Sequence, residues 1–195
     1  DDDAAPATED APLHPTNVYA ATKVAAESVL RALGRRARVT ILRPSNQIGP
    51  RQHPRLAASE FAKRIAEAEA GVAEPVIRHG QLDPRREFVD VRDMAAAYEA
   101  AADVDDADPT TYNVGSGRAV SVEAILDVLL RLSRVPIRTE LDEERVRPGV
   151  PSVLLMDSSR FRARTGWSPA IPLERSLSDT LDFWRDHVHS ELVPQ

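Results

Sequence analysis

Short β-branched runs alternate with longer helical stretches along almost the whole chain. That alternation restricts the chain to an α/β architecture, with strands joined through helices. Residues 1–13 are expected to be extended and punctuated by proline. A helix is expected over 15–33 with Gly34 as its stop, then a strand over 37–42 and a Pro/Gly loop over 43–55. A helix over 56–70 ends at Gly71, and a strand over 75–78 leads to a polar loop at 80–86. A strand at 87–89 and a helix over 91–102 follow. A strand over 111–114 precedes a helix over 121–132, which Ser121 caps alone because Ala124 leaves no capping box. A strand at 137–141, a loop at 147–151, a strand at 153–156 and a helix at 158–164 come next. The end reads as a turn at 166–169 and a helix over 173–187. The 195 residues fit one domain or slightly more, and no repeat or low-complexity tract interrupts them.

The chain has no cysteine, which excludes disulfides, thiolate zinc sites and a cysteine nucleophile. His14, His53, His79, His187 and His189 form no metal-ligand pattern, so no metal is expected. No run approaches ~18 apolar residues, so no membrane span is expected. The Asp-rich start lacks the basic-then-apolar pattern of a signal peptide, and the expected compartment is the cytoplasm. Net charge is −6, most of it from Asp1, Asp2, Asp3, Glu9 and Asp10, and no basic stripe suits nucleic acid. Lys23 and Lys63 are the only lysines among 25 basic residues, which makes a well-placed lysine noticeable. Trp167 and Trp184 are expected in the core.

Two patterns carry chemistry. In Tyr19-Ala20-Ala21-Thr22-Lys23 the tyrosine and lysine share one helix face. An ammonium beside a phenol favours the phenolate, so such a pair can exchange a proton with a carbonyl or alcohol oxygen near neutral pH. The same spacing also suits an ordinary surface pair. The second pattern, Gly115-Ser116-Gly117, resembles a phosphate cradle, with Glu140 and Asp142 after the next strand. Val120 stands where the fingerprint needs its third glycine, so a structural strand-to-helix turn is the better reading. No other segment completes a glycine fingerprint.

The order of segments adds a resemblance. Pro15-x-x-x-Tyr19-x-x-x-Lys23-x-x-x-Glu27 is followed by Leu42-Arg43-Pro44-Ser45-Asn46-x-x-Gly49-Pro50. Then come Pro84-Arg85-Arg86-Glu87-Phe88-Val89-Asp90-Val91-Arg92-Asp93, Tyr112-Asn113-Val114-Gly115-Ser116-Gly117 and Thr165-Gly166-Trp167-x-Pro169. From about residue 8 onward this resembles the extended short-chain dehydrogenases/reductases of the NAD-dependent epimerase/dehydratase family. Segments 44–52 and 84–93 are most similar to GDP-6-deoxy-4-keto-mannose reductases, and next to GDP-mannose 4,6-dehydratases. The resemblance implies residues 1–195 of a Rossmann-type catalytic domain, with the smaller substrate-binding α/β subdomain interleaved. It also implies an upstream glycine-fingerprint half and a catalytic Ser or Thr about two dozen residues before Tyr19, neither of which this chain contains.

The implied activity is reduction of the C4 ketone of GDP-4-keto-6-deoxy-mannose with NADP or NAD as cofactor. A dehydratase is the alternative. A non-catalytic sugar-nucleotide-binding fragment is the alternative of another class. By the same resemblance Tyr19 is the catalytic acid, and Lys23 favours its ionised form and binds the nicotinamide ribose. Pro44 lies beside the cofactor, and Asn46 bonds sugar or phosphate oxygens. Arg86 clamps the diphosphate, with only one of Arg85 and Arg86 reaching it because neighbours on a strand point opposite ways. Arg147 lies near the nucleotide, where Val150 replaces a common acid. Lys63 and Arg64 lie on a helix that faces the nucleotide, with at least one of them on the surface. A homodimer through the Tyr19 helix is implied too. An apolar face of that helix, including Val24 and Leu30, is expected to lie exposed and to favour association.

Overall fold

The computed structural model describes residues 5–34, 37–106, 110–147, 149 and 151–192. Asp1 to Asp3 and Val150, which carry part of the reading above, lie outside the described residues. The elements run α1 (Val18–Leu33), β1 (Thr40–Pro44), β2 (Asn46–Ile48), α2 (Ala57–Glu69), β3 (Val76–His79), β4 (Arg85–Asp90) and α3 (Val91–Ala102). They continue β5 (Thr110–Val114), β6 (Ala119–Ser121), α4 (Val122–Leu132), β7 (Arg138–Leu141), a 3₁₀ turn (Glu143–Arg145), β8 (Val153–Leu154), α5 (Ser159–Thr165) and α6 (Leu173–Leu192). The α/β class read from the alternation is what forms.

Helix starts follow side-chain caps. Asn17 accepts from the Ala20 amide at 2.9 Å, so α1 begins at Val18, three residues later than the expected start at 15. Asp90 caps α3 through the Arg92 amide at 2.8 Å. Ser121 alone caps α4 at 3.0 Å, as expected. α5 ends at Gly166, whose φ of 71° is a left-handed stop that glycine adopts without strain.

Strand β1 pairs in parallel with β5, from Thr40 opposite Thr110 to Pro44 opposite Val114. β2 pairs in parallel with the end of β4, Asn46 opposite Phe88. The start of β4 lies between antiparallel β6 and parallel β8, and β3 pairs in parallel with β7. These pairings correct the reading at four places. Asn46 to Ile48 and Arg85 to Arg86 are strand rather than loop. β6 was not anticipated, so Gly115-Ser116-Gly117 turns from strand to strand and not from strand to helix. β1 starts at Thr40, not at residue 37. α6 reaches Leu192, beyond the expected end at 187. At Asn46–Ile48, Arg85–Arg86 and β6 a partner strand supplies hydrogen bonds that outweigh poor local propensity, whereas β1 begins only where β5 reaches it, at Thr110.

Two cores result. One holds Phe61, Ile65, Leu129, Leu177, Leu181 and Trp184 between α2, α4 and α6. The other holds Val89, Met94, Val114, Phe161 and Trp167 between β5, α3 and α5. Trp184 donates its indole N–H to Ser59 Oγ at 2.9 Å and Trp167 to the Asp93 carbonyl at 3.0 Å, so both tryptophans are buried as expected and satisfied. α1 contributes no buried residue: Leu30 is exposed and Val24 half-buried. Among the described residues no helix is long and apolar enough to cross a membrane.

Candidate active site

Tyr19 and Lys23 stand one turn apart on α1, with Lys23 Nζ 5.3 Å from the Tyr19 ring centroid. Tyr19 is 71% exposed. Among the described residues, neither its hydroxyl nor the Lys23 ammonium has a hydrogen-bond or ion-pair partner. Both polar groups are therefore free for a ligand.

After β1 the chain crosses directly into β2. The Ser45 amide donates to the Val114 carbonyl at 2.9 Å, which fixes the crossing. Extended backbone alternates sides, so Pro44 and Asn46 are both exposed on one side while Ser45 turns inward. The Asn46 Nδ2 donates to the Glu87 carbonyl at 3.1 Å, which leaves its Oδ1 as an acceptor aimed elsewhere.

Along β4 the same alternation separates neighbours. Glu87 and Val89 are buried on one side, and half-buried Arg86 and Phe88 face the other. Arg85 is exposed and spends an N–H on the Ala119 carbonyl at 3.3 Å. Arg86 donates only to the Arg85 carbonyl, at 2.7 Å, and has no carboxylate partner among the described residues. Burial pushes its guanidinium pKa down. A desolvated arginine without a counter-ion is suited to a phosphate, which it can engage with two parallel bonds.

The glycine loop is committed elsewhere. The Gly117 amide donates to Glu87 Oε1 at 2.6 Å, and the Met156 amide donates to Glu87 Oε2 at 3.0 Å. The Glu87 carboxylate, 1% exposed, thus sits where a phosphate would lie. A Cβ on Gly115 would overlap this carboxylate, so glycine is needed there for close approach. The signal for Glu87 was present in the sequence: it sits two residues before Val89 and so shares its inward side.

The remaining candidates are spread out. Lys63 pairs with Glu67 at 3.6 Å and lies 5.3 Å from the Trp184 ring, facing α6. Its neighbour Arg64 instead lines a cleft of about 230 Å³ with Glu60, Phe61, Ile77, Arg78 and Arg145. Arg145, missed in the sequence, is tied to Glu60 at 2.7 Å and to Asp142 at 3.2 Å. Arg147 is exposed, two residues further on.

Parallel strands, the Tyr–Lys helix and the Pro44–Asn46 crossing define a Rossmann-type fold of the extended short-chain dehydrogenase/reductase kind. The family model "NAD dependent epimerase/dehydratase family" matches residues 1–115, and the chain belongs to that family. It is 31% identical over 180 residues to the GDP-6-deoxy-D-mannose reductase of Pseudomonas aeruginosa, covering 91% of this chain and 59% of that protein. It is 27% identical over 190 residues to the dTDP-D-glucose 4,6-dehydratase of Mus musculus, covering 93% of this chain and 51% of that one. The solved structure of RMD from Pseudomonas aeruginosa complexed with NADPH superposes with a TM-score of 0.86 at 29% identity, covering 93% of this chain and 61% of that one. The chain thus spans little more than half the length of the curated relatives it matches.

Proposed function

We propose that these residues are the catalytic-helix and substrate-binding part of a nucleotide-sugar oxidoreductase. Its reaction is reduction of the C4 ketone of GDP-4-keto-6-deoxy-mannose. The observation that carries this reading is the unspent Tyr19–Lys23 pair on one exposed helix face. The similarity to a GDP-sugar reductase over 91% of the chain favours this substrate over others.

The free Tyr19 hydroxyl and Lys23 ammonium fit the ribose and nicotinamide end of NADP or NAD, with Pro44 beside them. The Gly115 loop does not fit its phosphates, because the Gly117 N–H is spent on Glu87. The dinucleotide, when bound, supplies hydride. Tyr19 donates its hydroxyl proton to the C4 oxygen as the alcohol forms. Lys23 holds a positive charge beside the tyrosine, which stabilises the oxyanion left on it. Arg86 pairs with the diphosphate, and the Asn46 Oδ1 accepts from a sugar hydroxyl. Arg147 neutralises the nucleotide end, which Lys63 joins by leaving Glu67. The exposed Val18, Val29 and Leu33 of α1 are the surface through which two copies pair as a homodimer.

The test is titration calorimetry with GDP-mannose and with NADPH, followed by NADPH oxidation in the presence of the keto sugar. GDP-mannose binding is expected of these residues, and turnover once they are joined to the upstream glycine-fingerprint half that the resemblance implies. Tyr19→Phe should abolish turnover while leaving GDP-mannose affinity and the melting temperature unchanged. Absence of GDP-mannose binding, or turnover undiminished in Tyr19→Phe, overturns the reading.

A further inference from the structure

We infer that Glu27 and Arg43 are positioning residues: a bidentate ion pair that fixes α1 against β1 and thereby sets where Tyr19 and Lys23 stand. The inference rests on the reading of Tyr19 and Lys23 just given.

Most helices in proteins are held by burying an apolar face. Among the described residues no residue of α1 is buried, and the hydrogen bonds and ion pairs that join it to the strands run through Glu27 and Arg31. The Glu27 side chain is only 12% exposed although its helix is on the surface. Arg43 reaches it from β1 with Nε to Oε2 at 3.0 Å and Nη2 to Oε1 at 2.6 Å. The third nitrogen, Nη1, donates to the Glu9 carbonyl at 2.9 Å. Arg31 joins from the next helical turn, with Nη2 on Glu27 Oε1 at 3.0 Å and a further bond to Thr111 on β5. One carboxylate therefore gathers α1, β1, β5 and the segment before α1.

The position along the chain gives this anchor its consequence. Tyr19, Lys23 and Glu27 are spaced by four on one stripe of α1. Arg43 immediately precedes Pro44, which begins the crossing to Asn46. The pair thus connects the helix bearing the proton donor with the turn bearing the residues assigned to cofactor and sugar. Exposed ion pairs contribute little to stability, but this one is forked, half-buried and shared among several donors, the arrangement in which arginine–carboxylate contacts are strong and geometrically selective. Glu27 is held below the usual carboxylate range, chiefly by its hydrogen bonds from Arg43.

The test is amide hydrogen exchange on the full chain, paired with steady-state kinetics. Glu27→Gln is the deciding variant because it keeps volume and shape. Exchange across residues 18–33 should accelerate on the order of 10- to 100-fold, with α2 and α6 unchanged. Arg43→Lys keeps the charge without the fork and should fall between. Where keto-sugar reduction is measurable, kcat should drop on the order of tenfold at constant KM, as for a misplaced proton donor. Unchanged exchange in α1 overturns the proposal, as does acceleration throughout the chain or faster α1 exchange with kcat intact. If the unmodified chain turns over no keto sugar, the proposed function fails while the exchange result still decides whether the pair holds the helix.

Discussion

Replacing Glu87 with alanine would strip two amides of their only described acceptor. The carboxylate, 1% exposed, receives the Gly117 amide at 2.6 Å and the Met156 amide at 3.0 Å. Hydrogen bonds to a charged group contribute about 1.5–3 kcal/mol each, and buried donors left unpaired forfeit their solvation. Glu87→Ala should therefore cost about 3–6 kcal/mol, a large part of the ~5–15 kcal/mol that stabilises an ordinary domain. Glu87→Gln keeps one acceptor oxygen but turns an NH₂ toward the other amide, so about half that loss is expected. For a chain of this length the alanine variant should melt at least about 6 °C lower. The assay is urea unfolding followed by circular dichroism, with the slope checked so that the midpoint shift reads as stability. Equal midpoints for the parent and both variants would falsify the view that the loop is built around an internal carboxylate and would restore it as a candidate anion cradle.

Arg86→Ala should raise KM for the nucleotide sugar by roughly 10- to 100-fold with the fold intact, because Arg86 makes no ion pair among the described residues; an unchanged KM would remove it from the site. Glu69, 7% exposed, binds Arg185 at 2.7 Å and the Arg134 amide at 2.8 Å. Burial pushes its carboxyl up, but these bonds hold it below the usual range. The folded group is thus the weaker proton binder, so its contribution is complete above the ordinary glutamate value of about 4.3 and declines as pH falls below it. Urea midpoints should drop more steeply through that range in the parent than in Glu69→Gln, and parallel curves would refute this. Phe161, fully buried between Tyr112 and Trp167 at 5.6 Å from each ring, should cost about 3–5 kcal/mol on change to alanine, read from the same denaturation curves.

What could be read in advance was whatever depends on neighbours along the chain. Hydrophobic period and caps located the six α-helices found among the described residues, and a spacing of four singled out Tyr19 and Lys23. What depends on distant partners was not available. β2 begins two residues after Pro44 and gains its bonds from β4, forty residues on. Arg85 and Arg86 look like a polar loop until β6 and β8 flank them. Lys63 shows the same limit: its place over Trp184 depends on α6 returning across α2. Glu27 and Arg43 both stood in recognisable motifs, yet their bond joins a helix to a strand and has no local signature.

The sheet registers have a kinetic consequence. Among the described residues no strand pairs with a neighbour through a hairpin; the pairing closest in sequence joins Glu87 to Ala119, and the others reach further. Every ladder therefore closes a large loop before its bonds can repay the lost chain entropy. Helices can form early and alone, but the strands must wait with open edges. Refolding from urea should be slow for a chain of this size, and dilution during that interval should decide how much reaches the native state rather than an aggregate.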